Sequence, residues 1–355
     1  MTKFEDQPYR TLDGLRGIAA IIVMTRHLPE MFGQFTFPRC YLAVDLFFVL
    51  SGFVIANAYN ARLASGLGLI EFMRIRLIRF FPLYLLAFAI GLIDLALELY
   101  LPGGRDWTSS MIAMAVVFGL LFLPTPAAPD AAFYPLNIPS WSLGFEIAIN
   151  AFYALVYQWL SVKIVIAIMA VSALGVVRYA LYYGGMNYGD GWGDLIAGSV
   201  RVGYSFFAGV LMWHWRGSRS TNTAAAIAIG AIIALALMLQ IDAMPFDLIM
   251  VMVVFPATVW IAARYEPGAS IAPIYIKLGL ASYGLYVLHT PIGLIIQRLA
   301  KASGYEIPFP YVGIVFIIAL IPAIIWIDTY FDRPLRRKLL DITKPKQKEV
   351  AGVAA

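Results

Sequence analysis

Arg16 and His27 stand eleven positions apart in a segment that is otherwise mostly apolar. In an α-helix that spacing is roughly 20° past three full rotations, so both side chains leave one face, about 16 Å apart along the axis. A guanidinium holds its charge at any working pH, and an imidazole has an ordinary pKa of about 6.5 that suits proton transfer. Together they could bind an anion at one level and act as a general base at another. Asp13, three positions before Arg16, is placed to pair with it. A blander reading stays open, in which an Asp–Arg pair ties helices together and the histidine lies at a membrane interface.

Other residues add to this pattern. Arg74, Arg76 and Arg79 come just before Pro82 and Tyr84. Arg76 and Arg79 share a helix face, where two forked guanidiniums can grip phosphates; the alternative is an ordinary basic anchor at a membrane surface. Glu146 follows Trp141-Ser142-Leu143-Gly144-Phe145, about one turn into an apolar run. A carboxylate there can exchange a proton or pair with an arginine. Asp45 is expected to cap the second helix and pair across to the first. Of the three histidines, His214 sits between Trp213 and Trp215 as part of an aromatic belt, and His289 precedes Pro291, where it can bond a carbonyl freed at a kink. No histidine pair has metal-ligand spacing and Cys40 is the one cysteine, so neither a metal site nor an internal disulfide is expected. The Gly189–Asp194 stretch follows no strand and reads as a flexible outer loop rather than a phosphate loop.

The elements that must position these residues are membrane helices. Of 355 residues 61% are hydrophobic and 13% charged, with a mean hydropathy of +0.79. Soluble domains carry about 45–50% apolar and about 25% charged residues, so a soluble enzyme, a disordered chain and a nucleic-acid-binding protein are excluded. Apolar runs fall near residues 12–28, 41–59, 80–100, 110–124, 140–160, 164–183, 195–215, 223–241, 246–263, 279–297 and 310–330. The run at 110–124 is short for about 30 Å of hydrocarbon and leads into a proline-rich stretch, so it is expected to be re-entrant. With ten spans, most of the 26 Lys and Arg fall on one side together with both termini, and the positive-inside rule makes that side cytoplasmic. The expected fold is therefore an all-α polytopic bundle of about ten transmembrane helices plus one re-entrant segment. Residues 1–338 form a single membrane domain, and 339–355 form a basic, disordered cytoplasmic tail. Glu5, Asp6 and the charged Asp13–Arg16 stretch argue against a cleavable signal peptide.

These motifs, taken together, resemble the membrane-bound acyltransferase-3 family. The resemblance begins with Leu12-Asp13-Gly14-Leu15-Arg16 followed by His27, the arginine, ten residues, histidine signature of that family's first helix. It continues through Val44-Asp45-Leu46-Phe47-Phe48-Val49-Leu50-Ser51-Gly52-Phe53, Arg76-x-x-Arg79-x-x-Pro82-x-Tyr84 and Trp141-Ser142-Leu143-x-x-Glu146. It closes with Leu278-Gly279-x-x-Ser282-Tyr283-x-Leu285-Tyr286-x-x-His289 and Asp332-Arg333-Pro334. The matches run in order from residue 9 to about 337.

The resemblance implies an integral membrane O-acyltransferase of ten core helices in the bacterial inner membrane. Such enzymes carry an acyl group, usually acetyl, from cytoplasmic acyl-coenzyme A to a hydroxyl of a saccharide. Carried over, His27 and Arg16 are the catalytic pair, with Asp13 and Glu146 beside them, and Arg76 and Arg79, flanked by Arg74 and Tyr84, meet the donor. The family often has a second acid directly after the glutamate, where this chain has Ile147. Many members also carry a C-terminal extracytoplasmic esterase-like domain, whereas the segment after residue 338 here is a short basic stretch. Expected partners are membrane lipid and a saccharide or lipid-linked glycan, with further copies of the chain or glycan-biosynthesis proteins beside it and no nucleic acid. In this reading His27 deprotonates the acceptor, Glu146 orients His27, and Arg16 lines the donor's path. A transporter or flippase of a lipid-linked saccharide is the competing class, with the buried ions as its polar path.

Overall fold

The structure, a computed structural model, describes residues 8–33, 35, 37–241 and 244–344. Each of the eleven apolar runs is helical: α1 Arg10–His27, α2 Ala43–Ala64, α3 Leu69–Tyr100, α4 Ser109–Leu120, α5 Ser140–Val156, α6 Val162–Tyr183, α7 Leu195–His214, α8 Thr223–Met238, α9 Met244–Ala262, α10 Ala272–Ala302 and α11 Tyr311–Ile342. Helices α9 and α11 each contain a π-helical turn. A parallel pairing of Ser220–Thr221 with Tyr265–Glu266 joins two connections. The protein is an all-α polytopic membrane protein.

Seven of the helices are long and apolar enough to cross a bilayer. Helices α1, α5 and α8, which the expected ten would need, fall outside that set. Asp13, Arg16 and Arg26 lower the hydropathy of α1, while α5 and α8 are 17 and 16 residues long. At 12 residues, or about 18 Å, α4 is well short of the hydrocarbon thickness. It runs back along α3, so that the Tyr84 hydroxyl donates to the Gly119 carbonyl at 2.7 Å.

The chain from 121 to 139 then returns with one 3-10 turn at Pro129–Ala131, and several of its polar groups are paired inside the protein. Thr125 N–H donates to Phe133 O, Phe133 N–H to Asp190 O, and Trp192 Nε1–H to Thr125 O. Asn137 Nδ2 donates to Val287 O at 2.9 Å. This detour delivers the first turn of α5 to the flank of α10.

Small residues let the central helices touch. A side chain at Gly17 of α1 would collide with the Leu278 backbone of α10, and one at Gly279 would collide with Asp13. Likewise Gly52 of α2 lies against the Phe206 carbonyl of α7, and Gly209 of α7 against the Val49 carbonyl. Without a hydrophobic force between helices in lipid, such close backbone approach is a main source of association. The α2–α7 seam also holds the most buried ion pair among the described residues. Asp45 and Arg201, 0% and 1% exposed, meet at 2.7 Å. The expected partnership of Asp45 with the first helix is therefore corrected, because the acid faces α7.

Helix α3 begins at Leu69, so Arg74, Arg76 and Arg79 lie on its first turns, as expected for the opening of this span. One boundary differs. Helix α11 continues past residue 338 to Ile342, with Leu340 O and Thr343 accepting from Arg74, so the boundary set at 338 falls within a helix. The rest of the tail reading, from 345 onward, lies outside the described residues.

Candidate functional site

Helix α1 does present Arg16 and His27 on a common inward face, at two different levels. Calling the Arg16 end lower and the His27 end upper, each residue lines its own cavity.

The lower cavity, about 210 Å³, is lined by Arg16, Arg76, Arg79 and Glu146 among apolar and aromatic side chains of α2, α3 and α10. Arg16 pairs with Asp13 at 2.8 Å, as the spacing requires. The Arg76 guanidinium lies over Phe80, 4.9 Å from the ring centre, and Arg79 lies over Tyr283 at 5.3 Å. Aromatic faces hold the flat guanidiniums in place while leaving their N–H edges available. Oε1 of Glu146 accepts from the Ser51 hydroxyl, from Arg76 Nη2 at 3.3 Å and from Asn150 Nδ2 at 3.3 Å. Three arginines against this glutamate and Asp13 leave the chamber cationic, which suits an anion such as a phosphate or pyrophosphate.

The upper cavity, about 140 Å³, is lined by His27, Arg26, Tyr41, Trp141, Asn187 and Asp190, with Tyr188 and Arg201 behind them. His27 does not stand alone. Its Nδ1 lies 3.1 Å from Nε2 of His289, whose Nδ1 lies 2.7 Å from the Leu285 carbonyl. A carbonyl only accepts, so His289 carries its proton on Nδ1 and offers Nε2 as an acceptor. His27 must then donate from Nδ1, toward His289 and toward the Val23 carbonyl at 3.2 Å. Its Nε2 is left with a free lone pair. An imidazole fixed in that tautomer is a base ready to take a proton from a hydroxyl.

Several expected site residues lie elsewhere. Glu146 does not orient His27, because α5 starts beside α10 and one further turn carries the carboxylate down to Arg76. Arg74 turns outward to Glu71, at 2.6 Å, and to Thr343, and does not line the lower cavity. Tyr84 stacks on Phe122, 3.9 Å between ring centres, and bonds Gly119, so it anchors α4. The Gly189–Asp194 loop is tied down rather than loose. Arg201 bonds the Tyr188 carbonyl, Gly189 N–H donates to Asp194, and Asp190 reaches the upper cavity.

Tyr286 and Ser142 are legible in the sequence only as motif members. His289 is legible as a residue that bonds a helix carbonyl, and its Nδ1 does meet Leu285 O, but nothing in the sequence pairs it with His27.

Comparison with known proteins supplies the remaining observations. A family model described as an acyltransferase domain, of the acyltransferase-3 type, matches residues 9–327. "Protein 2 in picA locus" of Rhizobium radiobacter is 38% identical over 186 residues, covering 49% of this chain and 95% of that protein. "Acyltransferase MdmB" of Streptomyces mycarofaciens is 33% identical over 162 residues, covering 42% of this chain and 39% of that protein. No solved structure matches the chain.

Proposed function

The chain belongs to the acyltransferase-3 family, and on that premise we propose that it moves an acyl group, acetyl above all, from acyl-coenzyme A in the lower cavity to a saccharide hydroxyl in the upper one. One observation carries this reading: a chamber lined by three arginines and a chamber lined by His27, with His289 packed behind it, lie end to end in one bundle. The positive-inside pattern puts the lower chamber, both termini and most of the basic residues on the cytoplasmic side, where acyl-coenzyme A is made.

Arg76 and Arg79 hold the phosphates of the donor and Arg16 lines the pantetheine path, which at about 16 Å matches the rise from Arg16 to His27. In the upper chamber Trp141, Tyr41 and Tyr188 offer ring faces to the C–H surfaces of a sugar. Asn187, Asp190 and Arg26 offer hydrogen bonds to its hydroxyls. The acceptor oxygen attacks the thioester carbonyl carbon while its proton passes to His27 Nε2. The C–S bond then breaks, and the departing thiolate takes that proton back, leaving an ester and free coenzyme A. His289, fixed by Leu285, keeps His27 in the productive tautomer.

The test is a proteoliposome assay with labelled acetyl-coenzyme A and the envelope glycans of a strain lacking the gene. Label moving into the glycan, together with a mass difference of one acetyl group between glycans of the two strains, is the expected result. Movement of glycan across the bilayer without any donor would instead identify a transporter.

A further inference from the structure

Two residues, Val44 of α2 and Tyr286 of α10, line both cavities. They are the wall between a chamber suited to a phosphate-bearing donor and a chamber carrying a base. Val44 and Tyr286 are each 6% exposed, and Phe47 packs edge-on against the Tyr286 ring with centres 5.4 Å apart. The Tyr286 hydroxyl is 2.7 Å from Ser142 Oγ, at the start of α5. Ser142 Oγ also reaches the Pro139 carbonyl at 3.2 Å, and either hydroxyl can be the donor in the bond to Tyr286. Tyr286 also lies one turn below His289 on α10, with ring centres 6.4 Å apart, directly under the histidine pair. A phenol buried between helices is thus held shut by a single hydrogen bond, with Val44 filling the rest of the wall.

We infer that Tyr286, latched by Ser142 and backed by Val44, is the partition through which the acyl group passes, and that its bulk sets the length of acyl chain transferred. This rests on the acyl-coenzyme A reading above. For a thioester rising from the arginines to come within reach of His27, it must displace this ring, and the acyl tail must clear the wall and fit above it. A two-carbon group meets the least obstruction, while each added methylene must find room beside Tyr286. The latch has a second consequence. While it is closed, the upper chamber, rimmed by the exposed loop residues Asn187 and Asp190, is kept apart from the thioester, so water entering from that side does not hydrolyse it.

The full chain in lipid nanodiscs is tested with acetyl-, butyryl- and hexanoyl-coenzyme A. Released thiol is followed without acceptor, and transfer is followed with the glycan extract used above. Tyr286→Ala is expected to raise hexanoyl over acetyl transfer by about tenfold or more relative to wild type, as expected when a pocket wall that excludes methylenes is removed. Val44→Ala trims the same wall and supplies the ratio if Tyr286→Ala does not fold. Tyr286→Phe and Ser142→Ala each remove the latch without opening the wall. Both are expected to raise acceptor-free thiol release several-fold and by similar amounts, with the acyl-length preference retained. If the wall variants fold, transfer acetyl and keep the wild-type length preference, the partition is wrong and the Tyr286–Ser142 bond merely joins two helices. The same conclusion follows if the latch variants lower melting temperature but leave thiol release unchanged. Failure of wild type to use any acyl-coenzyme A would remove the donor assignment, and the partition with it.

Discussion

The lower cavity takes its arginines in local groups from α1 and α3, with Glu146 added from α5, whereas the histidine pair at the upper cavity comes from opposite ends of the chain. Asp13 and Arg16 lie on one turn of α1, and Arg76 and Arg79 on one turn of α3. His27 and His289 are separated by 262 positions and meet only because α1 and α10 pack at glycine contact. The first arrangement survives small shifts between helices, because long arginine side chains can follow a mobile phosphate. The second does not, since a hydrogen bond between two imidazoles fails within a few tenths of an ångström. On the proposed reading, charge capture is therefore tolerant of small shifts, and proton handling depends on helix packing.

Breaking the upper cavity is expected to have the largest catalytic effect. His27→Ala should lower the turnover of acyl transfer about 10²–10⁴-fold, the usual share of a general base, with acyl-coenzyme A binding by calorimetry unchanged. Loss of donor binding with turnover retained would exchange the roles of the two chambers. A comparable energy, spent on folding instead of on rate, is expected at the scaffold's buried pair. Asp45→Ala leaves the buried Arg201 guanidinium without its carboxylate and with only the Tyr188 and Tyr41 carbonyls to bond, a change that typically costs about 3–5 kcal/mol. Fluorescence-detected size exclusion should report little folded protein. A variant with wild-type melting behaviour would remove Asp45–Arg201 from the framework that aligns the chambers.

The same contrast explains what the sequence disclosed. Helix positions followed from apolar runs, and the short proline-flanked segment at 110–124 was legible as re-entrant, because hydrocarbon thickness sets a length that α4 does not reach. The Arg16–His27 face followed from helical periodicity alone. Partners on other helices did not. The ten-span topology puts Glu146, about one turn into its span, on the same side as His27. The irregular return through 121–139 starts α5 deeper, against Tyr286 and Val287, and only tertiary structure fixes that depth. Asp45 found α7 for a similar reason, since helix periodicity gives the direction of a side chain but not which neighbour stands there.

Damage to the lower cavity should be smaller and divisible. Arg76→Ala and Arg79→Ala are each expected to weaken acyl-coenzyme A binding about tenfold, the loss of one charge-assisted hydrogen bond. Their combination should approach the product, with turnover at saturating donor little changed. A double variant that loses turnover while keeping affinity would place these arginines at the reacting thioester instead. His289→Gln tests the link between the histidines. Replacing the imidazole acceptor for His27 Nδ1, with the Val23 carbonyl still in place, should cost up to about tenfold in turnover, the value of a neutral hydrogen bond, with donor affinity untouched. A purely structural His289 would lower melting temperature and leave the rate per folded molecule as it was.

The smallest effect is the one on which sequence and structure disagree most directly. Arg74 has the same residue type as its neighbours Arg76 and Arg79 and lies within two turns of both, so spacing alone would enlist it for the donor. Helical geometry denies it that role: two residues before Arg76, it points about 200° away around the helix axis. It is occupied there by Glu71 and the end of α11. Arg74→Ala should therefore leave donor affinity within about twofold of wild type, as for an ion pair near the protein surface. The only change expected is looser attachment of Arg333–Ile342, read as faster amide exchange in that helix. A tenfold loss of affinity would mean that the basic helix swings over the lower cavity when donor binds and takes Arg74 with it, making the mouth of that chamber a moving part.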